Sequence, residues 1–125
     1  MKSIRFFHNP NLKILAVDDN MVNLKVFEGL LRKTGAQITK ATSGQMALEF
    51  TGKDKFDIIF MDHMMPGMDG VEAFHEVRKQ ENGLNIDTPI VVLTANAIKG
   101  SYEEYMGYGF DDVCYNPCGR ENPRF

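Results

Sequence analysis

The sequence predicts an α/β fold with a doubly wound, five-stranded parallel sheet, and three observations predict it. Short apolar runs alternate with stretches of helical periodicity, joined by short links, which argues for a parallel sheet covered on both faces. The first and third runs stop abruptly on acids, Asp18-Asp19 and Asp62. Open α/β sheets present ligand-binding groups at the carboxyl ends of their strands. Finally, 125 residues with 43% hydrophobic content suit one domain with one core.

The elements follow in order. Residues 1–11 read as an irregular arm, with Phe6 and Phe7 its aromatics. Leu12–Val17 is the first strand, and Asn20 caps a helix reaching to about Thr34. Leu24, Phe27 and Leu31 recur at helical spacing and form its core stripe. Gly35 is its expected C-cap. Ala36–Lys40 is the second strand; Ser43 caps a second helix to about Thr51, which Gly52 ends. Phe56–Met61 reads as a strand buried on both faces, ending on Asp62. Pro66-Gly67 forces a turn, and Asp69 caps a third helix running to about Glu81 near Gly83. Pro89 introduces strand four, Ile90–Leu93, which stops at Thr94. Helix four spans about Ile98–Met106, with Ile98, Tyr102, Tyr105 and Met106 on one face, and strand five is Asp112–Tyr115. The domain is thus 12–117, and 118–125 is a short tail with Gly and Pro and no helical period.

Bulk composition excludes several classes. A net charge of −3 gives no reason to expect direct nucleic-acid binding. No apolar stretch approaches a membrane span, and the first residues, MKSIRFFHNPN, lack the apolar centre of a signal peptide. A cytoplasmic location without membrane insertion is the expectation. In that compartment Cys114 and Cys118 are expected as free thiols. Two cysteines are too few for a structural zinc site, and no G-x-x-x-x-G-K run supports a P-loop. His63 among Met61, Met64, Met65 and Met68 invites a Cu(I) reading, but methionine is more often a core gap-filler. Lys25, Arg32, Lys33 and His75 read as solvated.

The candidate chemistry lies in the acids. Two strands deliver Asp18, Asp19 and Asp62 to one edge of one sheet. Crowded carboxylates repel and raise one another's pKa, and a divalent cation relieves this. A few carboxylates with a carbonyl and waters suit Mg²⁺. Such a site would draw a phosphoryl donor, with Asp62 as nucleophile. The bland readings are a strand-end cap for Asp62 and a helix N-terminus favouring negative charge for Asp18 and Asp19. The second accounts for one acid more easily than for two.

Asp18-Asp19, the run MDHMMPGMDG around Asp62 and LTANA at Leu93–Ala97 together resemble the receiver domain of two-component response regulators. VDDNMVN at Val17–Asn23 and TANA at Thr94–Ala97 are most similar to receivers of hybrid sensor histidine kinases. The resemblance covers about Leu12 to Pro117 and implies the flavodoxin-like strand order 2-1-3-4-5. It further implies Asp62 as phosphoacceptor, taking its phosphoryl group from a histidine kinase or histidine phosphotransfer domain. Asp18, Asp19, Asp62 and the main-chain carbonyl of Met64 would hold Mg²⁺. Thr94 would donate to a phosphoryl oxygen, small Ala95 would leave room for it, and Met64 and Asn96 would tune its lifetime. A self-phosphorylating acceptor, with autodephosphorylation rather than turnover, is the implied activity.

The chain departs from this pattern in three places. Asn116 stands where the family has a lysine before Pro117, and an amide brings no charge to the phosphoryl group. Val113 stands where the family has its switch aromatic; Tyr115 shares the face of Val113. The family's fifth helix is missing from 118–125, a loss expected to expose apolar sheet surface and favour homo-oligomerisation, domain swapping or docking of a partner's helix. These departures support an alternative: a degenerate pseudo-receiver that binds a protein partner independently of phosphorylation. A third reading, a metal-dependent phosphatase with an aspartyl nucleophile, needs a second acid two residues after Asp62, and Met64 occupies that position.

Overall fold

The computed structural model describes residues 10–94 and 100–115. Its elements run β1 (Lys13–Val17), α1 (Met21–Leu31), a 3-10 turn (Arg32–Thr34), β2 (Gln37–Ala41), α2 (Gly44–Lys53), β3 (Ile58–Asp62), α3 (Gly70–Lys79), β4 (Ile90–Thr94), α4 (Ser101–Tyr108) and β5 (Asp112–Tyr115). The strands form a single parallel sheet in the order β2-β1-β3-β4-β5, the predicted topology.

Strand alternation divides the core into two layers. One face of the sheet carries Leu15, Val17, Ile59, Met61, Ile90, Val92, Val113 and Tyr115. They pack with Ala47 of α2, Ala73, Phe74 and Val77 of α3, and Tyr105 of α4. The other face carries Ile14, Ala16, Phe60, Val91, Leu93 and Cys114 under Leu24, Phe27 and Leu31 of α1. The stripe read from the sequence is therefore the buried face of α1. On this second face Phe60, Val91, Leu93 and Cys114 are all buried. Among the described residues the exposed large apolar side chains are Met21, Val22, Val26 and Leu30 of α1, with Met64, Ile86 and Tyr108.

Several boundaries shift, each for a local reason. β3 starts at Ile58 rather than Phe56, because the Phe56 N–H donates to the Asn85 side chain instead of a neighbouring strand. α2 continues through Gly52 to Lys53 and stops where Asp54 turns extended. The helix predicted to Thr34 tightens into a 3-10 turn after Leu31, closed by left-handed Gly35 at φ 71°. α3 begins with a capping box, in which Asp69 Oδ1 accepts from the Glu72 N–H and Glu72 Oε1 from the Asp69 N–H. It ends at Lys79 because Gln80 adopts an extended ψ. α4 starts at Ser101, after left-handed Gly100, and continues to Tyr108. The 3-10 turn's Arg32 and Lys33, α1's Lys25 and α3's His75 are exposed, as expected.

The loop before β4 is organised by buried Asn85. Its Nδ2 donates to the carbonyls of Thr51 and Asp54, and its Oδ1 accepts from Phe56 N–H and Thr88 Oγ1. Cys114, expected as a free thiol, is disulfide-bonded. The expectation rested on redox compartment, which says nothing about which sulfurs lie within reach. No helix among the described residues is long and apolar enough to cross a membrane. Residues 1–9 of the arm, the tail 118–125 on which the expectation of a missing fifth helix falls, and Ala95, Asn96 and Asn116 lie outside the described residues.

Candidate functional site

The register of the central strands builds the site. Val17 of β1 pairs with Met61 of β3, so Asp18 and Asp62 leave adjacent strands side by side. The Asp18 N–H donates to Ala41 O, extending β1's pairing toward β2 by one residue, and Asp18 is 1% exposed. Its Oδ1 accepts from the Asn20 N–H at 2.9 Å. Asn20 in turn caps α1, its Oδ1 accepting from Val22 and Asn23 N–H. Asp19, between them, faces solvent. Carboxylate oxygens of Asp18, Asp19 and Asp62 all lie within 4.8 Å of one another. This is the juxtaposition predicted from the sequence.

That crowding is costly. Burial first, then the charges of Asp18 and Asp19, push the Asp62 carboxyl up from 3.8 to about 7. Burial likewise raises Asp18, offset in part by the Asn20 N–H. Asp18 Oδ2 is buried without a hydrogen-bond partner among the described residues. An orphaned buried carboxylate oxygen, aimed among two further acids, is what a hard divalent cation satisfies. The donor set therefore fits Mg²⁺: all oxygen, anionic, with one exposed acid leaving room for water.

The β3–α3 loop is held close behind Asp62. The Gly70 N–H donates to His63 O at 2.8 Å. A Cβ at Gly70 would meet the Asp62 carbonyl and come within 2.9 Å of His63 Cα. Only glycine permits this approach. Between the two, Met64 projects its side chain into solvent at 74% exposure, while Met61 and Met65 are buried. The methionines thus lie in different surroundings, Met64 in solvent and Met61 and Met65 in the core.

Thr94 closes β4, 4% exposed. Its Oγ1 accepts from the hydroxyl of Tyr105 on α4 at 3.1 Å. That hydroxyl also lies 2.7 Å from His63 Nδ1, with the two rings perpendicular. Helical periodicity places Tyr105 on one face of α4. It does not disclose which partners its hydroxyl finds. Val113, at the family's aromatic position, is buried opposite Val92, and Tyr115 pairs with Thr94 in the sheet.

Comparison with known proteins agrees with this geometry. The family model described as "Response regulator receiver domain" matches residues 14–122. A probable histidine kinase 3 of Oryza sativa is 38% identical over 123 residues, covering 84% of this chain and 12% of that protein. The signal transduction histidine-protein kinase BarA of Escherichia coli is 34% identical over 113 residues, covering 88% and 12%. The chain thus spans about an eighth of the length of these relatives. Among solved structures, the receiver domain of a Pseudomonas aeruginosa sensor histidine kinase superposes with TM-score 0.75 at 38% identity, covering 86% of each chain. That structure carries a magnesium ion in its active site cleft. With the sheet order, the acid cluster and these matches in agreement, the chain belongs to the response regulator receiver domain family of two-component signalling.

Proposed function

We propose that Asp62 accepts a phosphoryl group from the phosphohistidine of a histidine kinase or histidine phosphotransfer domain, in the cytoplasm. The observation that carries this is the gathering of three carboxylate oxygens within 4.8 Å around a half-buried Asp62. An Asp62 oxygen attacks phosphorus, the P–N bond breaks, and its electron pair returns to the imidazole. Asp18, Asp19, Asp62 and the main-chain carbonyl of Met64 are the groups that would hold Mg²⁺. When bound, the ion neutralises phosphoryl oxygens and keeps Asp62 ionised at neutral pH. Thr94 Oγ1 is the proposed donor to a phosphoryl oxygen. Asn116 takes the lysine's role as a neutral donor, and Ala95 leaves space for the group. Met21, Val22, Val26 and Leu30 of α1 and Met64 are exposed apolar residues, and the start of α1, directly after Asp18 and Asp19 in the chain, suits docking of the donor.

Intact mass after incubation with acetyl phosphate tests the chemistry. The expected result is a gain of one phosphoryl group, dependent on Mg²⁺ and absent in Asp62→Ala. If Mg²⁺ binds but no gain occurs, the domain acts instead as a phosphorylation-independent binding module, the reading that Asn116 favours.

A further inference from the structure

We propose that Tyr105 and His63 are positioning residues that fix the proton order on Thr94, holding its hydroxyl as a donor toward the phosphoryl group. The inference rests on the phosphoacceptor reading above. Three side chains from three separate elements meet here: Thr94 at the end of β4, Tyr105 in α4, and His63 directly after Asp62. Thr94 and Tyr105 are buried, at 4% and 3% exposure. A tyrosine hydroxyl has one proton to give. In the proposed order it goes to Thr94 Oγ1, 3.1 Å away. With the Tyr105 proton so placed, the contact at 2.7 Å between the Tyr105 oxygen and His63 Nδ1 takes the Nδ1-protonated form. Each group donates to the next, in the order His63, Tyr105, Thr94.

The order matters because phosphoryl oxygens only accept. Thr94 must donate to them, and a hydroxyl whose lone pair already receives the Tyr105 proton is set for that task. Successive donors polarise one another, so Thr94 becomes a better donor than an isolated hydroxyl. Being fixed before the phosphoryl group arrives, the dipole costs little reorganisation. The same chain ties α4 to the residue beside the acceptor. It thereby supplies, from a helix, an aromatic contact to Thr94 that Val113 cannot make. A buried tyrosine needs some partner for its hydroxyl in any case, so the test must read more than stability.

Two measurements on the whole chain decide. The first is the ¹⁵N spectrum of the His63 imidazole in the resting protein. The expected form is Nδ1-protonated, reverting to Nε2-protonated in Tyr105→Phe; an Nε2-protonated wild type overturns the proton order. The second is the rate of phosphorylation by acetyl phosphate with Mg²⁺. Tyr105→Phe keeps the ring and should slow it about fivefold, the worth of one hydrogen bond. His63→Asn, which keeps an N–H donor near the Nδ1 position, should stay near wild type, whereas His63→Ala should resemble Tyr105→Phe. Adding Tyr105→Phe to Thr94→Val should cost nothing further. An unchanged rate in Tyr105→Phe, or additive losses in the double variant, overturns the positioning role. A wild type that gains no phosphoryl group while His63 is Nδ1-protonated overturns the phosphoacceptor reading and supports the proton order.

Discussion

In the folded chain Asp62 keeps its proton up to about pH 7, whereas the ordinary value is 3.8. Between these pH values the folded state binds more protons than the unfolded one, so unfolding free energy falls as pH rises. Asp18, raised in the same direction, adds to the trend. The loss is complete above about pH 7. It amounts to at most about 4 kcal/mol, less after solvent screening of a half-buried group. Without divalent cations, the melting temperature of the wild type relative to Asp62→Asn should therefore fall from about pH 4 to about pH 8. Mg²⁺ held by these acids would bind only the ionised cluster, so its stabilising effect should grow over the same range. A wild-type minus variant difference that stays flat with pH would refute this account. The three acids were legible in the sequence because each follows an apolar run and stands at a strand end. The Tyr105 bridge was not, since helical periodicity reports which face is buried and not which atom that face offers a neighbour.

At the scale of elements, the β3–α3 connection converts a strand end into a site. The Pro66-Gly67 turn and the Asp69–Glu72 capping box were readable as local signals. The need for glycine at position 70 was not, because it arises from a loop folding back on Asp62 and His63. Gly70→Ala should push that loop away from the acids. It should cost about 1–3 kcal/mol in stability. It should also lower the phosphorylation rate roughly tenfold to a hundredfold, since a small displacement at the proposed nucleophile is amplified. Chemical denaturation and the acetyl phosphate assay check the two parts separately. Wild-type behaviour in both would mean the close approach is relaxed in solution. The same distinction explains the early start predicted for β3. Phe56 has the composition of a strand residue, but Asn85, 29 positions later, captures its N–H. No short-range pattern announces that contact.

The whole molecule separates chemistry from recognition. The sheet order 2-1-3-4-5 sets β1 and β3 side by side, so their carboxyl ends make the acid cluster. The link from β1 leads directly into α1, whose outer surface shows Met21, Val22, Val26 and Leu30 at 37–67% exposure. Buried Leu24, Phe27 and Leu31 hold that helix to the sheet by its opposite side. Substitutions on the exposed stripe should leave the core and the acids untouched. Val22→Asp and Val26→Asp are therefore expected to melt like the wild type and to accept phosphoryl from acetyl phosphate at an unchanged rate. Transfer from a phosphorylated histidine phosphotransfer domain should fall roughly tenfold or more, as expected when a charge enters an apolar contact patch. Under the proposed function a small donor would need only the acids, whereas a protein donor would also have to seat on α1. Equal loss with both donors would mean that the substitutions damage the acceptor, and equal retention would move the docking face elsewhere. Either result is readable because the two faces of α1 differ: one packs the sheet, and the other is exposed.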